Sequence, residues 1–494
     1  MSRGLGDVYK RQLVTTLYGT NLTIANVSLP QIQGALSASP DQISWVVTSN
    51  LIATAVTIPL AGWIANRFGR RRSMIWGVTG FAIATLMCGL SSSLAELILW
   101  RILQSAFCSP LAAIAQSVVI DEFTGERRAK ATSIYMMGVG IPATVAPIIG
   151  GYVCEELSWS WVFFILVPVA FLALFGLLKS IKPDPPSPRN ITLDWIGFIS
   201  LAVMIACIQL VLDRGEREEW FSSGEILFEC FLIIIFGWIF FSHSLTAKLP
   251  LFDLRLFLER NFALGIGIHC IFGMLFVTPM VLIPSMLQQL TEAPDFTVGM
   301  LISLRFIATA IAMLIMVFFA NQWNPKFLLL LGFGLHTYAG IQMATFDMNT
   351  SIFDMAWALS ITGLGVGFLW VPMTIVTFSN LDPKRSVEGA MMWNFMRSIG
   401  SSFYISLSFI VIFHTQKINY ATLVQWINPY TNHLKRDFLT GDQASLISAV
   451  GEISQQAANI SYINGFNFFL WTSLLAYPLI VLISWPSKKI DSKS

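Results

Sequence analysis

Charged residues are scarce in this sequence. Lys, Arg, Asp and Glu together make up 12% of its 494 residues, which is about half the share that soluble domains carry. Hydrophobic residues make up 55%, and they include 38 Phe and 16 Trp. A soluble chain would need a very large core to remove so much apolar surface from water, whereas lipid requires no such core. The composition therefore excludes an ordinary soluble domain and indicates a membrane protein.

Sites for redox chemistry, metal binding and catalysis are also missing. The six cysteines are scattered and form no Cys-x-x-Cys pair, so we expect them to be small packing residues. The apolar runs contain no His-Glu-x-x-His motif, no nucleophile–base pair and no metal-ligand spacing. We therefore expect neither an enzyme nor a cofactor or metal. The net charge of +2 gives no indication of a nucleic-acid partner.

Apolar runs of about 20 residues, enough for a helix to cross a hydrocarbon layer of ~30 Å, recur along almost the whole chain. The runs are continuous rather than alternating, which favours helices over a β-barrel. We predict an all-α polytopic membrane protein. Its fourteen predicted spans are 12–30, 44–66, 73–91, 95–120, 130–153, 159–180, 194–213, 223–245, 262–286, 297–321, 326–346, 352–379, 387–413 and 464–486.

Basic residues are distributed unevenly between the two sides of these spans. With fourteen spans, both termini lie on the same side as the loop 67–72, and most of the 30 Lys and Arg residues fall there. The positive-inside rule predicts that this side is cytoplasmic, in the inner membrane of the cell. We expect no cleavable signal peptide and a first span that acts as its own signal. The exceptions are five basic residues on the other side (Arg214, Arg217, Lys417, Lys435, Arg436) and three inside spans (Arg101, Arg305, Arg397).

The spans fall into a six, two, six arrangement. Residues 1–180 are predicted to form a six-helix bundle, and residues 262–494 a second one. Between them, 181–261 holds a Pro-rich linker, two extra spans and an amphipathic basic segment that we expect on the cytoplasmic surface. The sizeable outer segment 414–463 is predicted to contain one or two amphipathic helices. It is either a docking surface or a solvated loop.

Several short motifs resemble those of a known family. The loop at 62–72, GWIANRFGRRR, resembles the major facilitator superfamily signature G-x-x-x-D-R-x-G-R-[RK]-x and lies between spans two and three, as in that family. Three further motifs are similar to those of its fourteen-span drug:proton antiporters of the EmrB/QacA type. They are TIANVSLPQI in the first span, WRILQSAFCSP in the fourth and APIIGGYV in the fifth.

The resemblance implies two six-helix bundles around a cavity that opens alternately to either side, with spans 7–8 at the periphery. It implies export of amphiphilic drugs or toxic small molecules in exchange for protons. A periplasmic adaptor and an outer-membrane channel are expected partners if the cell is Gram-negative. The loop implied to close the cytoplasmic side contains Gly62, Asn66, Arg67, Gly69 and Arg70. The fifth span, bent by proline and packed closely through glycine, is implied to be a hinge that contains Pro142, Pro147, Gly150 and Gly151.

Polar residues inside the spans mark the expected cavity. Ionisable residues in a membrane are costly and are expected to face protein or water. On span 4, Arg101, Gln104, Ser105 and Cys108 share one helix face, and on span 13 a stripe runs through Asn394, Arg397, Ser401, Tyr404 and Ser408. The alternative is that hydroxyl and amide groups only join helices. The expected cavity and coupling residues are Asn21, Asn26, Arg101, Gln104, Arg305, Asn394 and Arg397.

Two acids of the family pattern are replaced by amides, which do not titrate: Asn21 stands in the first span and Asn66 in the loop. No acid lies squarely in the middle of a predicted span. His269 and His336 do lie inside spans, and histidine titrates near physiological pH, so each is a candidate proton carrier or else a neutral core residue. An exporter or facilitator without proton coupling, and a transport-inactive sensor or scaffold, are the alternatives. Smaller departures from the family pattern are Asn50, Ser105, Ala146 and Ser160.

Overall fold

The computed structural model describes residues 16–17, 19–21, 28–38, 40–122, 149–180, 192–247, 250–291, 294–319, 322–382, 385–425 and 443–483, with isolated residues between 131 and 146. These residues form helices joined by turns, and no strand occurs among them. The helices are α1 (Leu29–Ala35), α2 (Pro40–Thr57), α3 (Leu60–Phe68), α4 (Arg70–Leu90), α5 (Leu94–Glu122), α6 (Trp159–Phe164), α7 (Leu166–Ser180), α8 (Trp195–Arg214), α9 (Gly224–Thr246), α10 (Arg260–Thr291), α11 (Asp295–Phe319), α12 (Pro325–Met343), α13 (Ile352–Thr377), α14 (Ser386–Val424), α15 (Gln443–Leu474) and α16 (Ala476–Leu482).

Among the described residues, ten helical stretches are long and apolar enough to cross a membrane, or eleven if the bent pair α2–α3 is one span. The predicted spans 12–30 and 130–153 lie mostly outside the described residues. The predicted span 326–346 corresponds to α12, which is not among the eleven. The prediction of a polytopic helical membrane protein is confirmed, and the count of fourteen stays a prediction.

The predicted span 44–66 is divided into two helices. Pro59 stands between α2 and α3, and because proline has no backbone N–H, the helical hydrogen bonds cannot continue through it. The axis of α3 is bent by 54° away from that of α2. This bend carries α3 towards α14 of the second bundle, against which it packs.

Two clusters of buried apolar side chains hold the helices together. Buried residues such as Phe81, Leu111 and Phe163 on α2–α7 form the first core. A larger second core contains Phe272, Phe333 and many other side chains on α10–α16, and it also includes Ala55 on α2 and Ala115 on α5 where the two bundles meet. Buried apolar area stabilises each core by roughly 25 cal/mol per Å², and each set of helices therefore forms its own bundle. The exact domain boundaries 1–180, 181–261 and 262–494 stay predictions.

The two extra spans, implied to be peripheral, differ from each other. Helix α8 lies between the bundles, because it packs against both α2 and α14, and its Leu201 and Ile205 belong to the second core. Helix α9 packs on α8 and exposes large apolar side chains such as Trp238 and Ile234, as expected for a lipid-facing helix. Helix α9 is therefore peripheral, whereas α8 contacts both bundles.

The segment 247–261 is docked rather than simply laid on the surface. Phe252 and Leu256 are buried in the second core, and Leu254–Leu258 forms a short 3-10 helix. Asp253 accepts a hydrogen bond from Arg385 at 2.5 Å. The segment is thus fastened to the start of α14.

Helices α14 and α15 extend beyond the spans predicted for them. The 39 residues of α14 correspond to a length of about 58 Å, against a hydrocarbon layer of ~30 Å. Helix α15 begins at Gln443 and continues without a break into the last predicted span, and Asn419 on α14 donates to Ser461 on α15 at 3.4 Å. The described parts of 414–463 are helical, as predicted, and they are continuous with transmembrane helices. Residues 426–442 lie outside the described residues.

Candidate functional site: a cavity between two bundles

A cavity of about 500 Å³ lies between the two bundles. Helices α2, α5, α8, α10, α11, α13 and α14 all contribute to its wall. It extends as far as Glu216 and Arg217, which follow α8, and we call this the open end of the molecule. The volume falls in the range of sites for drug-sized molecules. The large aromatic side chains in its wall are Phe276, Phe306, Trp370, Phe409 and Phe413.

The opposite end, which we call the closed end, is held shut by contacts between the bundles. The side-chain amide of Asn394 on α14 donates to Gln116 Oε1 on α5 at 2.7 Å, and both residues are buried. Helix α14 also packs against α3. Gln116 lies fifteen positions beyond Arg101, the α5 residue that lines the cavity, so this bond marks the floor. Asn394 was predicted to line the cavity and instead closes it.

Arg101 lines the cavity as predicted and is 3% exposed. Its Nη1 donates to Gln104 Oε1 at 2.7 Å and to Asn21 Oδ1 at 3.2 Å. Gln104 in turn donates to Thr85 on α4 at 2.8 Å. Three predicted site residues are therefore joined, but of these three only Arg101 lines the cavity. Burying a guanidinium is costly unless its donors are satisfied, and here the described partners are neutral amides.

The stripe on α14 divides between two surroundings. Arg397 and Ser401 line the cavity, as predicted. Tyr404 turns away towards α15, where its hydroxyl donates to Thr472 at 2.8 Å, and Ser408 donates to the backbone of its own helix. A spacing of three or four residues places side chains on one broad face, but that face touches the cavity along only part of its width.

Arg305 was predicted to line the cavity and instead lies behind its wall. The guanidinium donates to the carbonyl oxygen of Phe276 at 2.5 Å and to the hydroxyl of Thr362 at 3.0 Å. Arg305 is 1% exposed, and its charge lies 5.3 Å from the centre of the Phe276 ring. These contacts join α10, α11 and α13, so Arg305 stabilises the second bundle from within. Its neighbour Thr309 does line the cavity.

The two candidate proton carriers lie in apolar surroundings outside the cavity wall. His269 is stacked on Trp393, with ring centres 3.4 Å apart, and neither ring nitrogen has a hydrogen-bond partner among the described residues. His336 lies near Phe333 and Phe469, and its Nδ1 is 2.9 Å from the carbonyl oxygen of Gly332. Both side chains are fully buried. This setting favours neutral core histidines over proton carriers.

The basic loop at the closed end is a tight connection between α3 and α4. Gly69 has φ +86°, a conformation that residues with a Cβ rarely adopt, which explains the glycine. Asn66 and Arg67 lie in the last turn of α3, Arg70 begins α4, and Gly62 is buried in α3. The neighbouring Arg71 donates to the carbonyl of Leu178 in the last turn of α7 at 3.3 Å. The sequence analysis did not single out Arg71.

The predicted hinge is covered only in part. Pro142 is helical and half-buried, and Gly150 and Gly151 are buried in a helical stretch. Pro147 lies outside the described residues, as does Asn26 of the predicted cavity. The hinge and the role of Asn26 stay predictions.

Sequence reasoning missed Asp213, which lies next to the last residue of α8 and lines the cavity. Its carboxylate accepts hydrogen bonds from Thr48 on α2 at 2.6 Å, from Gln209 on α8 at 3.0 Å, and from the hydroxyl of Ser406 on α14. The second carboxylate in the cavity wall, Glu216, accepts from Lys417 at 2.9 Å. Asp213 ends the predicted span 194–213 and Glu216 follows it, so in the sequence both are simply acids beside an apolar run.

The carboxylate of Glu216 is stabilised in its charged form. Burial opposes ionisation, but hydrogen bonds from Trp220 and Lys417 outweigh it and hold the pKa of Glu216 below its ordinary value of 4.5. Both donors are within 2.9 Å. Glu216 is therefore a fixed negative charge that Lys417 compensates at physiological pH.

Comparison with known sequences gives matches along nearly the whole chain. A family model described as Major Facilitator Superfamily matches residues 13–404. The chain is 30% identical over 479 residues to the "Multidrug export protein EmrB" of Escherichia coli (strain K12), covering 96% of this chain and 94% of that protein. It is 26% identical over 468 residues to the "Fatty acid resistance protein FarB" of Neisseria gonorrhoeae, covering 94% and 92%.

Solved structures share the fold. The proton:xylose symporter XylE bound to 6-bromo-6-deoxy-D-glucose superposes with a TM-score of 0.62 at 14% identity, covering 97% of this chain and 96% of that one. The human organic anion transporter MFSD10 gives a TM-score of 0.60 at 11% identity, covering 96% and 98%. At such low identity these likenesses establish the fold alone.

Proposed function

This chain belongs to the Major Facilitator Superfamily, and on that premise we propose that it exports amphiphilic small molecules from the cytoplasm by alternating access, in exchange for protons. It is a multi-pass membrane protein and a transporter rather than an enzyme. The names of its relatives, multidrug export and fatty acid resistance, support export of molecules with large apolar parts.

The observation that carries the proposal is the cavity between the bundles, open at one end and closed at the other. Two bundles that enclose a site between them can move against each other as rigid bodies about that site. The closed end depends on contacts between the bundles, such as the Gln116–Asn394 hydrogen bond and the packing of Ala55 and Ala115 against the second core. In an alternating carrier, breaking the contacts at the closed end and forming similar contacts at the open end would convert one state into the other.

The wall of the cavity suits amphiphilic molecules in general. Aromatic and aliphatic side chains form most of the wall, and a few polar groups are spaced around it. Both signs of charge are present: Arg101 and Arg397 are basic, and Asp213 and Glu216 are acidic. Such a mixture supports broad recognition of apolar surface with a polar or charged group attached.

Orientation in the membrane follows from the basic residues. The closed end carries Arg67, Arg70, Arg71 and Arg72, and the positive-inside rule assigns that end to the cytoplasm. The cavity then faces outward in this structure, and both termini are cytoplasmic. Tags at the C-terminus and at residues 184–188 should be protected from outside reagents, whereas a cysteine within 430–450 should react. An externally reactive cysteine at 186 would contradict the orientation.

Reconstitution into liposomes tests the proposed function. A pH gradient is imposed without a membrane potential, and movement of a fluorescent amphiphilic cation such as ethidium and of a fluorescent fatty acid is followed. Gradient-dependent transport of either probe supports exchange for protons. Downhill exchange that is constant between about pH 5.5 and 8 would instead identify an uncoupled exporter or facilitator. Absence of movement for both probes, relative to protein-free liposomes, would contradict export and favour a sensor or scaffold.

The expected partners stay proposals as well. We propose the inner membrane as the location, with no cofactor and with the proton gradient as energy source. In a Gram-negative cell, the protruding ends of α14 and α15 are the surface on which a periplasmic adaptor, and through it an outer-membrane channel, would dock.

A further inference from the structure

The Asp213 carboxylate joins three helices at the open end. Thr48 belongs to the first bundle and Ser406 to the second, and both donate to this carboxylate. Gln209 donates both to Asp213 and to Ser406, each at 3.0 Å, and accepts from Ser402 at 2.6 Å. The three donors to Asp213 are neutral side chains. Its negative charge is thus stabilised by hydrogen bonds that cross from one bundle to the other.

Asp213 also lines a second pocket. This side pocket of about 470 Å³ shares Thr48, Asp213 and Arg217 with the large cavity. Charged groups make up more than half of its lining residues, which are Trp45, Thr48, Leu210, Asp213, Arg214, Arg217 and Glu218. Because Arg217 and Glu218 are exposed, the side pocket is accessible to water. Asp213 therefore stands between a mostly apolar cavity and a hydrated, charged pocket.

The neighbouring ionisable groups differ from Asp213 in having charged partners. Arg214 pairs with Glu225 at 2.5 Å and is 3.9 Å from Glu229, and Glu216 pairs with Lys417. The described side chains of α2 include no ionisable group. Among the described residues, the ionisable groups that line a pocket together with Asp213 are Arg214, Glu216, Arg217 and Glu218 on α8 and its following loop, and Arg101 and Arg397 on α5 and α14. Glu225 and Glu229 on α9 face Arg214, and His414 and Lys417 on α14 face Glu216.

From this placement we propose that Asp213 binds the proton that the transporter exchanges, and that the proton reaches it through the side pocket rather than through the drug cavity. The inference rests on the proposed function and assigns a residue to its proton step. It also supplies a titratable group for proton exchange in a chain where residue 21 is an asparagine and both buried histidines lie away from the cavity.

The proton step is a simple transfer from water. A hydronium ion in the side pocket gives its proton to a carboxylate oxygen of Asp213, which forms an O–H bond and leaves a water molecule. The new O–H donates to the Ser406 hydroxyl, which turns its own proton towards the carbonyl oxygen of Ser402, 3.4 Å away. Hydrogen bonds to a charged acceptor are about twice as strong as neutral ones. Protonation thus weakens the connection between the bundles and releases the open end to close.

The first test uses the Asp213→Asn variant in liposomes, with Glu229→Gln as the matched control. Glu229 is a neighbouring acid on α9 that is buried and lines neither pocket. The quantity measured is the ratio of initial ethidium transport rates with and without a pH gradient. We expect a ratio above one for the wild type and for Glu229→Gln, and a ratio of one for Asp213→Asn. An unchanged ratio in Asp213→Asn would overturn the inference and leave the proposed function intact.

A wild type without any gradient response would instead contradict the proposed exchange itself. If Asp213→Asn transports too little ethidium for the ratio of rates to be measured, proton release on ethidium binding is measured instead. Purified protein in weakly buffered detergent is mixed with ethidium, and a pH indicator reports the protons released. The wild type is expected to release up to one proton per bound ethidium and Asp213→Asn none. Equal release by both proteins would overturn the inference.

The second test concerns the route. In a background without reactive native cysteines, Glu218→Cys is modified with a bulky thiol reagent that fills the side pocket. The matched control is Glu219→Cys, an exposed neighbour that does not line the pocket. Modification at 218 is expected to lower the ratio towards one, and modification at 219 to leave it unchanged. A ratio that survives modification at 218 would contradict entry through the side pocket.

Discussion

The bond between Gln116 and Asn394 predicts how firmly the closed end is held. At 2.7 Å between buried, neutral groups, it should contribute about 1 kcal/mol net to the state in which it forms. Removing it should therefore lower the ratio of closed to open molecules at this end by about five-fold. The perturbation is a double-mutant cycle with Gln116→Ala, Asn394→Ala and the pair.

Distances between two spin labels measure that ratio. Arg72 on α4 and Asn380 after α13 are exposed residues at the closed end, one in each bundle, and cysteines at these positions carry the labels. Each single variant should enlarge the population with a long distance between labels. The double variant should add little, because the bond is already gone. Thr415→Val is the control, since that hydroxyl donates only within α14 and its loss should change nothing.

Two outcomes of the double-mutant cycle would contradict a role of the Gln116–Asn394 bond in holding the closed end. Independent substitutions add to within about 0.3–0.5 kcal/mol, so a coupling energy smaller than this would show that the bond does not hold the bundles together. Unchanged label distances in all three variants would show that the closed end depends on other contacts, such as those between α3 and α14.

Four further outcomes are expected. Arg101→Ala should weaken ligand binding in equilibrium titrations, because it removes a charge from the cavity wall and leaves buried amides unsatisfied at about 1–3 kcal/mol. Arg305→Met should lower the thermal unfolding temperature but leave ligand affinity unchanged, since this guanidinium joins helices behind the wall; altered affinity would contradict that position. His269→Phe should retain the pH-gradient response, and its loss would restore this histidine as a proton carrier. Gly69→Ala should destabilise the protein by about 1 kcal/mol or more, measured by thermal unfolding, because of the positive φ.

The helical membrane fold could be predicted from the sequence because hydrocarbon demands long apolar helices. The apolar runs placed most helices to within a few residues. The break in the second predicted span was missed, although Pro59 marks it, because an apolar run does not show where a helix bends. The lengths of α14 and α15 were missed for the opposite reason: their outer parts are polar and carry no membrane signal.

The site was predictable only in part, because an unusual residue in an apolar run can face either a cavity or a neighbouring helix. Arg101 and Arg397 line the cavity, whereas Arg305 is equally unusual and lies behind the wall. His269 and His336 looked functional by the same criterion and lie in the core. Helical spacing groups the residues of one helix, but it does not identify the helix that packs against them.

Asp213 illustrates a different limit. Its position near the end of an apolar run is common for acids that only face water. The contacts that give it importance come from α2 and α14, which are distant in sequence. They exist because α8 lies between the bundles, and the resemblance to the family had implied a peripheral position.

The extension of α14 has a mechanical consequence. A helix of about 58 Å that is packed into the second bundle over half of its length acts as a lever, because it turns with that bundle. A small rotation inside the membrane becomes a larger sweep at the far tip, near the exposed Tyr420. A fluorophore attached to that tip would report the movement of the second bundle from outside the bilayer. An antibody fragment that binds this tip should inhibit transport without entering the cavity.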